Sequence, residues 1–174
     1  MKIKNLLKFL FLLSIVLLLD CKKDKPENHI IYDGTTYSMG GGLLSSSGTS
    51  NGSGGYNYFL TLYSSGLTYD AVSKKMSGSG ELMFFLLSSY TSPFGSRTYK
   101  YNNTNTIQAS GTYSGCWLKH NLNASTNICT NIELYTGTLD IIDTGASVFS
   151  VNITINTTDG KPITGYYKGP LVRD

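Results

Sequence analysis

Histidine is the side chain that enzymes use most often for acid–base and nucleophilic chemistry, and this sequence contains two, His29 and His120. His29 falls in a charged N-terminal stretch, and the acidic residues are few and scattered, so no carboxylate pair suggests a glycosidase. Glu133 and Asp140 fall on opposite faces of a predicted strand unless a bulge at Gly137 changes the count. No serine lies in a nucleophile-elbow motif. We therefore expect no catalytic residues and no cofactor, and predict that this protein is not an enzyme.

The N-terminus has the three parts of a secretory signal. Three lysines in the first eight residues supply the positive region, and residues 9–19 form an apolar stretch that ends at a polar break before Cys21. A transmembrane helix needs about 20 apolar residues, so this stretch is too short to be a permanent single-pass anchor. We therefore predict a signal peptide that is cleaved before Cys21.

The residues around this cleavage point carry a family resemblance. The stretch Leu18-Leu19-Asp20-Cys21 resembles the lipobox of bacterial lipoproteins, in which the cysteine receives the lipid, although Asp20 replaces the usual small residue. The charged segment "CKKDKPE" and the C-terminal "DGKPITGYYKGPL" are similar to those of uncharacterised small β-rich surface lipoproteins of the Bacteroidota. The resemblance implies an outer-membrane lipoprotein, anchored to the membrane through its N-terminal lipid and exposed on the cell surface, or alternatively facing the periplasm. It implies no further functional residues.

The domain organisation that follows is simple. We predict a signal peptide at 1–20, a lipidated flexible tether at 21–30, and a single β domain at 31–174, a normal length for one hydrophobic core. Six of the 14 basic and three of the 11 acidic residues lie in the signal and tether, which leaves eight of each. A neutral domain lacks the stripe of basic residues that binds phosphates, so we exclude nucleic acid as a partner.

The two remaining cysteines, Cys116 and Cys129, bracket the polar segment "WLKHNLNASTNI". Outside the cytoplasm two such cysteines usually pair, so we predict a disulfide between them and a polar loop held by it. Closing a loop of this size stabilises a protein by about 3 kcal/mol. A metal site formed by His120 and both sulfur atoms needs a fourth ligand that this neighbourhood does not offer, so we predict no metal.

The fold class follows from alternating apolar and polar residues between turn signals. In Ser147–Ile155, "SVFSVNITI", four apolar side chains point to one face, and Asp159-Gly160 predicts a hairpin after this strand. Leu82–Leu87, "LMFFLL", is apolar on both faces and predicts a central strand covered on each side. We expect an all-β antiparallel β-sandwich of eight to nine strands, with a closed up-and-down calycin-like barrel as the alternative. The predicted strands are Thr35–Leu44, Tyr56–Tyr63, Leu67–Asp70, Glu81–Ser88, Arg97–Tyr101, Thr106–Tyr113, Leu134–Ile142, Ser147–Ile155 and Pro162–Val172.

One feature of the sequence indicates a binding site. Trp117, the single tryptophan, falls in the predicted polar loop, where it could stack on a sugar ring or anchor a protein partner together with Tyr113 or Tyr135. The alternative is that it folds back over the end of the sheet. We predict a binding or adhesion module for a glycan or a surface protein. The second hypothesis is a carrier of a small apolar ligand, with a cavity inside a barrel lined by Phe84, Leu86 and Val151.

Overall fold

The computed structural model describes residues 27–50, 55–90, 92–102 and 110–173. The predicted signal peptide, Cys21 and most of the predicted tether lie outside these ranges. Within them, every regular element is a β-strand, so the all-β prediction is confirmed. No helix in the described ranges is long and apolar enough to cross a membrane. The ten strands of this part of the chain are β1 (His29–Tyr32), β2 (Thr35–Ser50), β3 (Tyr56–Ser64), β4 (Leu67–Asp70), β5 (Lys75–Ser89), β6 (Arg97–Tyr101), β7 (Thr112–Asn123), β8 (Ile128–Asp143), β9 (Val148–Thr157) and β10 (Pro162–Arg173).

The described strands form one continuous sheet that returns on itself. The order is β3-β2-β1-β10-β9-β8-β6-β7-β5-β4, and β5 also pairs with β3, which closes the ring. Neighbours are antiparallel except in two short pairings, β10 with β2 and β6 with β7. These exist because β1 separates β2 from β10 at one end only, and β6 separates β7 from β8 at the other end only. The pairings therefore describe the closed barrel, the alternative that the sequence left open beside a sandwich.

The core lies inside the closed sheet. In β9 the residues Phe149, Val151, Ile153 and Ile155 are all buried, as the alternation in the sequence predicts. Within Leu82–Leu87 of β5, Met83, Phe85 and Leu87 are buried, and the intervening side chains lie on the outer face and are partly exposed. The prediction that "LMFFLL" is covered on both faces is therefore wrong, and an apolar strip remains on the outside of the barrel.

Two predicted boundaries also need correction. The folded domain begins at His29, because β1 pairs with both β2 and β10 and Ile30 is completely buried, so the flexible tether cannot extend to residue 30. The segment after Cys116 is not a polar loop: β7 and β8 form a hairpin whose turn spans 124–127. Trp117 and His120 therefore lie on a strand, where strand pairing fixes the direction of their side chains.

Candidate functional site

Trp117 lies on the outer face of the barrel and is 39% exposed. In β7 its neighbours Cys116 and Leu118 are buried, so the alternation of the strand turns the indole outward. A register shift between β5 and β7 coincides with Gly115, whose φ of 51° favours glycine. This bulge determines which side chains of β7 point into the barrel and which point outward. The tryptophan does not fold back over the end of the sheet.

Three aromatic rings from adjacent strands form a row across this outer face. Phe59 of β3 and Phe84 of β5 stack with ring centroids 5.6 Å apart, and the ring of Trp117 tilts against Phe84 at 5.0 Å. Phe84 and Trp117 are paired directly in the sheet register. Pairs of this geometry contribute about 0.5–1.5 kcal/mol beyond the area they bury, so the row is a preorganised surface.

The row borders a groove of ≈ 560 Å³, which we call the Trp117 groove. Its floor comes from the outer faces of β2, β3, β5 and β7, and the β4–β5 hairpin forms one wall. This volume is in the range of about 300–1,000 Å³ that is typical of small-molecule sites. The described residues that line it are Leu43, Thr61, Tyr69, Lys74, Met76, Leu82, Phe84, Trp117, Lys119 and Asn131.

The two tyrosines predicted beside Trp117 do not line this groove. Tyr113 is completely buried inside the barrel, where its ring packs edge-on against Phe85 at 5.8 Å and burial raises the pKa of its hydroxyl. Because the bulge at Gly115 interrupts the alternation of β7, Tyr113 points into the barrel and Trp117 points outward. Tyr135 is 47% exposed and its ring contacts Tyr101 at 5.5 Å instead. Of the three predicted ligand contacts, only Trp117 belongs to the groove.

The predicted disulfide is wrong, because both described cysteines are free. The register pairs Trp117 with Glu133, which places Cys116 beside Leu134, five residues along β8 from Cys129. At about 3.3 Å per residue this separation is roughly 16 Å, whereas a disulfide needs Cα atoms within about 7 Å. The thiol of Cys116 donates a hydrogen bond of 3.1 Å to the Leu134 carbonyl, and burial raises its pKa to about 12.

A polar cluster that the sequence analysis missed lies at the end of the barrel nearest β1. The carboxylate of Glu81 is buried, with the residue 2% exposed, and its Oε2 is 2.8 Å from His120 Nδ1. Its Oε1 accepts a hydrogen bond of 3.2 Å from the backbone N–H of Asn121, whose φ of 54° turns that group inward. The other ring nitrogen, Nε2, lies 3.0 Å from the side-chain amide nitrogen of Asn121, so the imidazole has a polar partner on each side.

Two tyrosine rings and a cleft adjoin this pair. The ring edges of Tyr32 and Tyr37 approach the imidazole at 5.6 and 6.0 Å, and a cleft of ≈ 620 Å³ opens beside it. The hydroxyl-bearing side chains of Tyr32, Thr130 and Thr158 line this cleft. The described residues contain no group of three or more His, Cys, Asp and Glu side chains placed to hold a metal ion. The contacts of the Glu81 carboxyl group with His120 Nδ1 and with the Asn121 backbone N–H link β5 to β7, and we assign the pair this structural role.

Comparison with protein-family models, with curated proteins and with solved structures gave no match.

Proposed function

We propose that this protein is a non-catalytic binding module, anchored through a lipid on Cys21, that takes its ligand in the Trp117 groove. The observation that carries the proposal is the groove itself: an open, preformed concavity with the single tryptophan of the chain at its edge. Partly exposed aromatic side chains in such a position are typical anchors for ligands and protein partners.

Large side chains buried inside the barrel support a site on its outside. Large buried side chains from opposite sides of the ring, such as Tyr99, Phe85 and Phe149, occupy the inside. The three residues expected to line an internal cavity are divided, since Val151 faces inward whereas Phe84 and Leu86 lie on the outer face. This arrangement favours the binding module over a carrier that encloses its ligand between its strands.

The composition of the groove favours a ligand with a hydrophobic body. Six of its ten described lining side chains are aliphatic, thioether or aromatic. A bare oligosaccharide brings hydroxyl groups that cost free energy when they lose water without gaining hydrogen bonds, and this lining offers few partners for them. A glycan or a surface protein is therefore a better partner when it presents an apolar group to Trp117.

The membrane anchor is the second part of the proposal, and its support is the lipobox-like sequence. Because β1 begins at His29, eight residues after Cys21, a fully extended tether spans at most about 29 Å. A lipid on Cys21 would then hold the barrel close to the membrane, on the cell surface or, alternatively, facing the periplasm. Metabolic labelling with a fatty acid analogue tests the anchor: the label should mark the native chain and be absent from a Cys21→Ala variant.

Energy transfer from Trp117 tests the groove, because no other tryptophan contributes to the signal. The probe is N-phenyl-1-naphthylamine, an uncharged hydrophobic dye that accepts tryptophan emission when it binds nearby. We expect saturable transfer, with binding that weakens by about tenfold or more in Phe84→Ala, because that variant removes the ring beneath the indole. Tyr135→Ala is the matched control, since it removes an exposed ring that does not line the groove. Equal binding by both variants would contradict the proposal.

A further inference from the structure

We infer that the ligand of the Trp117 groove is an anionic single-chain amphiphile, a hydrocarbon tail that ends in a carboxylate or a phosphate. This inference rests on the proposed function, because it names the ligand class of the same site.

Charge is the first observation that supports this class. Among the described residues that line the groove, the charged ones are Lys74 and Lys119, and no acidic side chain is present. The predicted domain as a whole is neutral, with eight basic and eight acidic residues, so the positive bias is a local property of this site. The cleft beside His120 has the opposite bias, because Asp33, Glu133 and Asp159 line it.

The placement of the two lysines relative to the apolar lining is the second observation. Lys74 lies in the turn that leads into β5, and Lys119 lies on β7, two residues from Trp117 on the same face. Lysine side chains commonly pack their methylene stems on apolar surface while the ammonium group reaches solvent. The Lys119 ammonium donates to the neutral amide oxygen of Asn127 at 3.2 Å, so this contact does not neutralise its charge. An acidic head group can therefore reach the Lys119 ammonium at the border of the apolar floor.

The shape of the apolar floor supports a chain rather than a compact ring system. Leu43 on β2, Leu82 and Phe84 on β5, and Trp117 on β7 place apolar surface across several neighbouring strands. Strands in a sheet lie about 4.8 Å apart, so the floor extends over roughly 14 Å from β2 to β7. An extended alkyl chain can cover this distance, and Met76 on the hairpin wall supplies a flexible side chain that can adapt to it.

The experiment compares amphiphiles that share one tail and differ in the charge of the head group. Dodecanoate, dodecyltrimethylammonium and dodecyl maltoside are each titrated below their critical micelle concentrations, with Trp117 emission as the readout. We expect dodecanoate to bind about tenfold more tightly than the cationic amphiphile, and added salt to weaken its binding more than that of the neutral one. Each methylene added to the carboxylate should strengthen binding by up to about fourfold.

Variants identify the source of the charge preference. In Lys74→Gln/Lys119→Gln, we expect the preference for dodecanoate over dodecyltrimethylammonium to fall to about twofold or less, because the two ammonium groups are the charged groups among the described lining residues. Lys168→Gln is the matched control, because this exposed lysine on β10 does not line the groove.

Each other outcome has a defined meaning. Equal binding of all three amphiphiles would overturn the inference while leaving a functional groove. Binding of the uncharged dye without any binding of dodecanoate would do the same. Binding only to vesicles that contain anionic phospholipid, and not to monomeric dodecanoate, would replace a free amphiphile with a membrane surface. If neither the dye nor any amphiphile perturbs Trp117, the proposed function itself fails.

Discussion

The buried pair of Glu81 and His120 allows a quantitative prediction for the variant His120→Phe. The substitution removes one of the two described hydrogen-bond donors to a carboxylate that is 2% exposed, and leaves only the backbone N–H of Asn121. Leaving a buried hydrogen-bond acceptor without one of its donors costs about 1–3 kcal/mol, and more when the acceptor is charged. The His120 side chain is 24% exposed, so water can reach part of the vacated site, and we expect a cost of about 2–3 kcal/mol.

This cost is large enough to measure in a domain of this size. A loss of 2–3 kcal/mol should lower the melting temperature by about 5–10 °C, from the usual entropy of unfolding for about 150 residues. Equilibrium unfolding in urea, followed in parallel by circular dichroism and Trp117 emission, gives the free energy directly. The two probes should report the same midpoint if the barrel unfolds in one step.

A double-mutant cycle separates the pair from simple loss of packing. Replacing both partners by apolar residues, in Glu81→Met/His120→Phe, removes the buried charge together with its donor, so we expect the double variant to be more stable than His120→Phe alone. A coupling energy of about 1–3 kcal/mol is the expected result. A His120→Phe variant as stable as the native chain, or a double variant that loses the sum of the two single effects, would refute the structural role assigned to the pair.

Three further predictions follow from other parts of the barrel. Gly137→Ala should destabilise the fold by about 2–4 kcal/mol in urea unfolding, because φ is 119° and a Cβ there would collide with the β9 backbone. Gly160→Ala, the control, should cost only about 1 kcal/mol because its surroundings are open. Thiol labelling of the native protein, mapped by mass spectrometry, should modify Cys129 and spare the buried Cys116. A reductant should not change the melting temperature. Protection of both thiols until reduction would contradict this prediction. Burial raises the pKa of Tyr167 to about 12, above its unfolded value near 10. The stabilisation from this buried neutral hydroxyl should therefore be complete below pH 10 and be lost between about pH 10 and 12, as measured by unfolding at each pH. Constant stability across that window would contradict this prediction.

The local features of the fold were predictable where side-chain alternation is strong. The buried set of β9 and the turn at Asp159-Gly160 follow from period-two patterning and turn chemistry alone. β1 was missed because it has only four residues and forms by pairing with two strands that are distant in sequence. The turn of the β7–β8 hairpin was read as part of a long loop because Asn127, not a glycine, adopts its positive φ there.

A bulge in β8 at Tyr135 shows why strand parity alone is an incomplete guide. The simple count placed Glu133 and Asp140 on opposite faces of one strand. A register shift between Leu134 and Thr136 inserts an extra residue, and both acidic side chains lie outside the barrel. The sequence analysis placed a possible bulge at Gly137, but Gly137 pairs regularly with Ile155 and the extra residue is Tyr135, because the pairing with β9 decides where the bulge forms.

The candidate site was predictable only in part, because its residues are distant in sequence. Trp117 was identified from its type and its polar neighbours, but its groove depends on Phe84 and Lys74, which a long stretch of chain separates from it. Those contacts exist because β5 pairs with β7 and because the β4–β5 hairpin lies beside the sheet. Such long-range pairings are not encoded in any local pattern, and the closure of the sheet by β3 and β5 is of the same kind.

The most direct measurement of the central claim is a nuclear magnetic resonance titration of the isotope-labelled protein with dodecanoate. We expect saturable shifts of the Trp117 indole N–H and of the backbone amides of Leu82 and Lys119, which line the groove. Val151, whose side chain is buried inside the barrel, should remain unperturbed. Shifts concentrated at Val151 and its interior neighbours, with an unchanged indole signal, would place the ligand inside the barrel and contradict the account.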